Sequence, residues 1–242
     1  MNLIIVIPCF NEANRFEKQK FIDFINNTND VGLVFVDDGS TDKTFQLLSK
    51  LSGEFSNRMS VVRCETNKGK ANAVKAGFQF VFDNFSCKKI AYLDADLSAS
   101  LEECQAISIL VDGEIKFVFG SRILKIDNVI KRKWYRYFFG RIVATFISRS
   151  LGLPVYDTQC GCKIFEISLA KKIFTDPFIS RWLFDVELFH RMIRLFGREN
   201  MPAYTKEVPL KAWIDAKKSK VKFTYFFKLW LDLFAINSFY NK

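Results

Sequence analysis

The chain has 242 residues, of which 49% are hydrophobic and 26% are charged, with 11 Gly and 5 Pro. That length suits one domain, and the composition excludes a disordered or low-complexity chain. The sequence has no run of 18 uncharged apolar residues, so we expect no membrane-spanning helix. Its first apolar run, Leu3–Ile7, has no basic residues before it and is too short for a signal peptide.

Six cysteines and a single histidine limit the chemistry that the chain offers. Because no secretion signal is recognised, we expect the cysteines, at positions 9, 64, 87, 104, 160 and 162, to be free thiols. Cys160 and Cys162 lack the two-residue spacer of zinc knuckles and redox pairs, and His190 has no second histidine to join it. The sequence therefore argues against a His/Cys metal site and against a Ser-His-Asp triad.

The formal net charge of +10 is concentrated in the second half of the chain. Residues 1–120 carry 13 basic and 16 acidic side chains, whereas residues 121–242 carry 23 basic and 10 acidic ones. Residues 128–156 include six Lys or Arg and no acidic residue. This asymmetry indicates an anionic partner such as phosphate, nucleic acid or a membrane surface, although any single basic residue could simply be solvated.

The first half alternates apolar runs typical of strands with stretches of helical periodicity. The predicted strands are Leu3–Ile7, Val31–Val36, Met59–Arg63, Lys89–Leu93 and Phe117–Gly120. The predicted helices are 14–27, Asp42–Leu51, Ala71–Phe82 and 101–111, the second of them capped by Ser40 or Thr41. Strands that alternate with helices predict an α/β fold with a mostly parallel sheet flanked by helices.

The second half is less regular and contains three predicted amphipathic helices, at 130–150, 181–196 and 221–238. The first and third have basic borders, so each either packs on the sheet or lies in a membrane interface; we favour membrane contact for at least one. On the second helix, the spacing of Asp185 and Glu187 predicts that at most one of them, Asp185, points inward.

Polar motifs follow four of the predicted strands: Asn11–Glu12, Asp37–Asp38, Asn67–Lys70 and Asp94–Asp96. Ligands of parallel sheets gather at the carboxyl ends of the strands, so four such motifs together indicate a binding site.

Each motif also has a structural alternative. Asp94 and Asp96 could hold Mg²⁺ or Mn²⁺ against a diphosphate, or they could form a turn in which Ser98 caps the next helix. Asp37 could accept the N–H of a nucleobase as well as stabilising a turn. Lys70 could reach a phosphate or be a solvated residue at a helix start.

These motifs resemble those of family 2 glycosyltransferases, which have the GT-A fold. The resemblance rests on Ile7–Glu12, Val36–Asp42, Asn67–Lys70, Asp94–Asp96 and Gly120–Arg122. Two later motifs, Asp157–Gly161 with Lys163 and Phe165, and Arg181–Leu188, are similar to those of the branch that uses polyprenyl phosphates, nearest to its dolichyl-phosphate β-glucosyltransferases. The motifs keep the same order over residues 3–225, which makes the resemblance specific.

The resemblance implies one Rossmann-like GT-A domain over residues 1–242. Within it, 1–120 would be the nucleotide-sugar half, 121–220 the acceptor half and 221–242 an amphipathic C-terminal helix. The implied reaction is an inverting transfer of a sugar, with UDP-glucose the favoured donor, to a polyprenyl or dolichyl phosphate. Relatives usually have transmembrane helices and this sequence has none, so we expect a peripheral protein on the cytoplasmic face of a membrane.

The resemblance also implies roles for particular residues. The donor-binding residues would be Pro8, Phe10, Glu12, Asp37, Asp38, Lys70, Asp94 and Lys220, and the residues around Mg²⁺ or Mn²⁺ would be Asp94, Asp96 and Ser98. The catalytic group would comprise Arg122 and Arg136, which clamp the acceptor phosphate, with Asp157 and Asp185. Asp157 could orient the acceptor, act as a base, or be a buried carboxylate paired with Lys163 or an arginine.

Two other functions remain open at this point. A hydroxyl acceptor on a cell-surface glycan would need a carboxylate base, Asp157 or Asp185, but it gives no reason for two arginines. Basic and aromatic residues alternate at 131–137, as in binders of single-stranded nucleic acid, yet the segment continues into apolar residues that suit lipid or core better, so we expect no nucleic acid partner. Ala71–Asn72 and Ala216–Lys217 replace more glycine-rich motifs of the family, which leaves the donor open.

Overall fold

A computed structural model describes residues 1–131, 134–215 and 225–240 of the chain, except for the side chains of residue 136 and of residues 225–227. Its strands are β1 (Leu3–Cys9), β2 (Val31–Asp38), β3 (Met59–Cys64), β4 (Lys89–Leu93), β5 (Phe117–Ser121), β6 (Val129–Lys131), β7 (Cys162–Glu166), β8 (Thr205–Pro209) and β9 (Ala212–Ile214). Its helices are α1 (Lys18–Asn26), α2 (Thr44–Glu54), α3 (Lys70–Asn84), α4 (Leu101–Ser108), α5 (Trp134–Leu151), α6 (Ile167–Ile173), α7 (Phe184–Phe196), α8 (Met201–Tyr204) and α9 (Tyr225–Tyr240).

Seven strands form one sheet, in the order β3-β2-β1-β4-β7-β5-β8. Strand β7 is antiparallel to both of its neighbours, and the other pairings in this sheet are parallel. The predicted α/β fold with a mostly parallel sheet is therefore confirmed. Strands β1 to β4 are adjacent, so the polar motifs that follow them lie along one edge of the sheet.

The central strands are buried on both faces, which explains their continuous apolar sequences. In β1, Ile4 and Val6 belong to one core layer, whereas Ile5 and Ile7 belong to the other. Helix α3 packs directly on the first layer because Gly77 has no side chain; a Cβ there would lie 2.4 Å from Val6 Cγ1.

Strands β6 to β9 and helices α6 and α8 were not predicted from the sequence. Strand β7 inserts between β4 and β5, and the fully buried Lys163 interrupts its apolar pattern. Strands β6 and β9, which pair with each other, have three residues each, too few for a periodicity to be recognised.

The predicted cap of helix α2 is wrong, and the alternative in which Ser98 caps the next helix does not hold either. Helix α2 begins at Thr44 with no side-chain cap, since Ser40 and Thr41 bond to the loop after β1 instead. Helix α4 is capped by Ser100 rather than by Ser98.

The long helices α5 and α9 each pack one face and expose another. In α5, Ile147 is fully buried whereas Trp134 is 80% exposed. In α9, Ile236 is fully buried whereas Phe234 is 73% exposed. Among the helices of the described ranges, none is long and apolar enough to cross a membrane. Residues 216–224, which include the lysines at positions 217, 218, 220 and 222 that border the third amphipathic segment, lie outside the described residues.

Candidate active site

A cleft of about 560 Å³ opens where the parallel strands end. It is lined by Pro8, Cys9, Phe10, Glu12, Arg15, Asp38, Asn67, Gly69, Lys70, Ala73, Asp94, Ala95, Asp96, Ser98, Arg122, Arg181, Trp182, Trp213, Asp215 and Lys228. The motifs after β1 to β4 thus meet in one place, as the topology requires. A second cavity, of about 670 Å³ between α6, α7 and the end of α9, includes none of the predicted site residues.

The loops after β1 and β2 are tied together by Asn11, whose φ of 50° lies in the left-handed region. Its backbone N donates to Ser40 Oγ at 2.9 Å, and its Oδ1 accepts from Thr41 N at 2.9 Å. The next residue, Glu12, donates from its backbone N to Thr44 Oγ1 at 2.8 Å. These bonds hold the buried Glu12 carboxylate in the cleft wall.

Asp37 and Asp38 have different surroundings. Asp37 is fully buried, its Oδ1 accepts from Ser40 N at 3.3 Å, and its Oδ2 has no hydrogen-bond partner among the described residues. Asp38 lines the cleft and accepts from the backbone N of Lys68 and of Gly69, at 3.0 and 2.8 Å. Burial raises the pKa of Asp38. The two hydrogen bonds lower it but do not cancel the rise.

The acidic pair after β4 lies beside Lys70. Lys70 Nζ is 2.6 Å from Asp94 Oδ1, and Asp96 Oδ1 accepts from Ser98 N at 3.1 Å. Burial raises the pKa of Asp96, and the neighbouring Asp94 raises it further. Burial alone would lower the pKa of Lys70, but Asp94 and Asp185 outweigh it and raise that pKa.

Gly161 makes room for the Asp94 carboxylate. A Cβ at residue 161 would lie 2.0 Å from Asp94 Oδ2, and the Gly161 carbonyl accepts from Asp94 N at 3.1 Å. Within the described ranges, no group of three or more His, Cys, Asp or Glu side chains could hold a metal ion. Two carboxylates fit a hard cation that completes its coordination with phosphate oxygens and water, as Mg²⁺ does.

Arg122 forms a two-pronged ion pair with Asp157. Its Nε and Nη2 lie 2.6 and 2.8 Å from the Asp157 oxygens, and its backbone N donates to the same carboxylate at 3.1 Å. Burial would raise the pKa of Asp157, but Arg122 outweighs it and lowers that pKa to about 2. Asp157 is thus a deprotonated carboxylate at neutral pH that orients Arg122, one of the roles left open by the sequence.

Asp185 lies behind the cleft wall, not in it. It accepts a hydrogen bond from the Tyr92 hydroxyl and is 2.7 Å from Lys163 Nζ. Lys163, fully buried, also donates to the Cys160 carbonyl at 2.7 Å. The ion pair links α7 to β7, and the hydrogen bonds of its two members extend the link to β4 and to the loop that carries Asp157.

The prediction that only one acid of α7 points inward is wrong. Glu187 is fully buried as well, and it accepts from the backbone N of Ile179 and of Ser180, at 3.0 and 2.8 Å. The first turns of α7 are buried on every face of the helix. Two residues on different faces are therefore both buried, and their spacing does not tell which one points inward.

Two predicted site residues cannot be placed. The side chain of Arg136 and the whole of Lys220 lie outside the described residues.

Several cleft residues were not predicted as site residues, among them the basic and aromatic side chains Arg15, Arg181, Trp182, Trp213 and Lys228. Arg181 Nε donates to the Lys68 carbonyl at 2.9 Å, which holds the loop before α3. Arg181 and Trp182 open the Arg181–Leu188 motif, a signal that could have identified them. Trp213 offers no comparable signal, because its strand is so short.

A mostly parallel sheet with a polar cleft at the carboxyl ends of its strands defines an α/β protein whose ligand site lies where such sheets usually bind their ligands. The sequence model of the protein family described as glycosyl transferase family 2 matches residues 4–174 of this chain. The chain belongs to that family, as its motifs indicated.

Curated relatives resemble the chain over most of its length. It is 28% identical over 206 residues to dolichyl-phosphate beta-glucosyltransferase of Dictyostelium discoideum, a match that covers 78% of this chain and 61% of that protein. It is 28% identical over 264 residues to the Drosophila melanogaster protein of the same name, covering 98% and 74%. The chain thus spans between 61% and 74% of the length of these two relatives.

Solved structures support the fold. Glucosyl-3-phosphoglycerate synthase from Mycobacterium tuberculosis, in complex with Mn²⁺, UDP-glucose and phosphoglyceric acid, superposes with a TM-score of 0.67. The identity is 15%, and the match covers 98% of this chain and 80% of the other. The likeness at this identity is one of fold, and it confirms the GT-A architecture.

Proposed function

We propose that the protein transfers a glucosyl group from UDP-glucose to a polyprenyl phosphate such as dolichyl phosphate, with inversion, at a membrane surface. The observation that carries this proposal is that one cleft contains the Asp94–Asp96 pair together with the Arg122 guanidinium. A carboxylate pair suits a cation-bound diphosphate, and a guanidinium suits a second phosphate.

The donor would occupy the end of the cleft next to β1, β2 and β4. Asp94 and Asp96, with Ser98 beside them, would hold Mg²⁺ or Mn²⁺, which neutralises the charge of the leaving diphosphate when bound. Asp37 does not line the cleft, but its buried Oδ2 has no hydrogen-bond partner among the described residues and would accept the N–H of a base that reaches it. Pro8, Phe10, Glu12 and Asp38 would surround the nucleoside, and Lys70 would contact a donor phosphate.

The acceptor phosphate would bind Arg122, which is deeply set in the cleft and held there by Asp157. A phosphate monoester is largely dianionic at neutral pH, so its oxygen can attack the anomeric carbon without a strong base. A bond forms between that oxygen and the carbon while the bond to UDP breaks, and the electron pair leaves on the diphosphate. The chain contributes orientation and charge stabilisation.

A hydroxyl acceptor fits the cleft less well, because it needs a general base. Asp157 has a pKa of about 2 and is occupied by Arg122. Asp185 is occupied by Lys163 behind the wall of the cleft. Neither carboxylate is therefore placed to remove a proton, which favours an acceptor that is already ionised.

Contact with a membrane would bring the lipid to this cleft. The exposed apolar side chains Trp134 and Phe138 of α5 and Leu231 and Phe234 of α9 provide surface for it. Lys228, on the same helix as the last two, lines the cleft. Aromatic and basic side chains in this combination suit an anionic lipid interface.

The test is transfer of radiolabelled glucose from UDP-glucose into polyprenyl phosphate, with Mn²⁺ or Mg²⁺ and with EDTA. We expect organic-soluble label that EDTA abolishes. Arg122→Gln should abolish transfer yet still bind UDP with Mn²⁺, whereas Arg149→Gln, which removes an exposed arginine of α5, should remain active. Consumption of the donor without any lipid label would show that the acceptor assignment is wrong.

A further inference from the structure

The Arg122 guanidinium is fixed by two groups of the protein. Asp157 binds Nε and Nη2, and Trp213 covers one face, with Cζ 4.9 Å from the ring centroid. The remaining nitrogen, Nη1, donates no hydrogen bond to any described residue and is left for a ligand. We infer that Trp213 is a positioning residue, which holds the Arg122 guanidinium in the orientation that receives the anionic acceptor.

Trp213 is itself firmly held, although it lines the cleft. It pairs with Ile130 across the β6–β9 ladder, and its Nε1 donates to Asp215 Oδ1 at 3.1 Å. The next residue, Ile214, donates from its backbone N to the Ser98 carbonyl at 3.2 Å. The Trp213 side chain is only 6% exposed. A ring fixed in this way limits the rotamers of the arginine, so less conformational entropy is lost when an anion binds.

This inference rests on the proposed transfer to a polyprenyl phosphate. Trp213→Leu keeps an apolar side chain but removes the aromatic face, whereas Trp213→Phe keeps a face and removes Nε1–H. We expect the Leu variant to raise the KM for polyprenyl phosphate about tenfold while the Kd for UDP stays unchanged, and the Phe variant to recover most of the loss. Phe45→Leu is the matched control, because it removes a ring that lies 4.4 Å from Arg63 Cζ in a cation–π contact outside the cleft. It should change neither the KM for polyprenyl phosphate nor the Kd for UDP.

An NMR measurement on the full chain without substrate tests the same contact. The Nε–H of Arg122 donates to Asp157, and the adjacent Cζ lies 4.9 Å from the Trp213 ring centroid. The Nε–H proton should therefore exchange slowly and show a ring-current shift, and Arg122→Lys identifies its signal. Trp213→Leu should remove the shift and speed up exchange.

The outcomes separate the two proposals. Failure of the wild-type protein to label polyprenyl phosphate would overturn the proposed function, while the NMR result would still decide the role of Trp213. An unchanged Arg122 signal in Trp213→Leu would overturn that role. So would a Phe variant as impaired as the Leu variant, or an equal loss of affinity for UDP.

Discussion

The buried ion pair of Lys163 and Asp185 predicts a strong energetic coupling between two substitutions. The two side chains are 0% and 4% exposed, and Nζ lies 2.7 Å from Oδ1. Removing one partner of a buried pair leaves an uncompensated charge, which costs about 3–5 kcal/mol. We expect Lys163→Met and Asp185→Asn each to lower the free energy of unfolding by that amount.

The double variant should lose much less than the sum of the single variants, because no uncompensated charge remains. Its residual loss comes from the Cys160 carbonyl, which Lys163 no longer contacts, and from the altered bond to Tyr92. Each buried polar group left unpaired costs about 1–3 kcal/mol. The coupling between the two sites should therefore reach about 3 kcal/mol.

Urea unfolding, followed by tryptophan fluorescence and circular dichroism, measures these free energies. Lys18 and Glu54 are a matched control, an exposed pair at 3.0 Å for which we expect coupling below about 1 kcal/mol. Additive losses at Lys163 and Asp185, or a coupling no larger than that of the exposed pair, would refute the reasoning.

Two further predictions concern Gly161 and His190. Gly161→Ala places a Cβ 2.0 Å from Asp94 Oδ2 and should lower the transfer rate about 10²-fold. The control Gly53→Ala, where an added Cβ meets no atom within 4 Å, should leave the rate unchanged. Equal transfer rates in the two variants would contradict the proposed role of Asp94. Burial lowers the pKa of His190 in the folded protein. As the pH falls below about 6.5, the unfolded chain therefore binds a proton at this residue before the folded protein does. The free energy of unfolding should decline by up to about 1.4 kcal/mol per pH unit in that range. Urea titrations at several pH values should find this decline reduced in His190→Gln, and an identical decline in both proteins would speak against it.

The first half of the site is predictable because local sequence determines it. Each of the motifs from Asn11 to Asp96 follows an apolar strand, and parallel strands in βαβ units bring their carboxyl ends together. Even here, the partners of Ser40 and Thr41 depend on the loop after β1, which the helix-cap pattern does not reveal.

The second half is less predictable because its contacts join distant parts of the chain. Arg122 and Asp157 are 35 residues apart and meet only through β5 and the loop before β7. Lys163 gives its strand an atypical pattern, since a charged residue in the middle of a strand usually indicates exposure. Trp213 belongs to a strand of three residues.

Strand β7 lies between β4 and β5 although it follows both of them in the chain. While the protein is being synthesised, β4 and β5 leave the ribosome before the strand that joins them exists. The nascent sheet then has an open edge at β4, and an exposed strand edge is a general site for wrong pairing and aggregation. Asp94 meets Gly161 only when β7 docks, so the acidic end of the cleft cannot be completed until the later half of the chain has been made. A nascent fragment that ends before β7 therefore lacks the contact that seats Asp94, even though it already carries the other motifs of the acidic end.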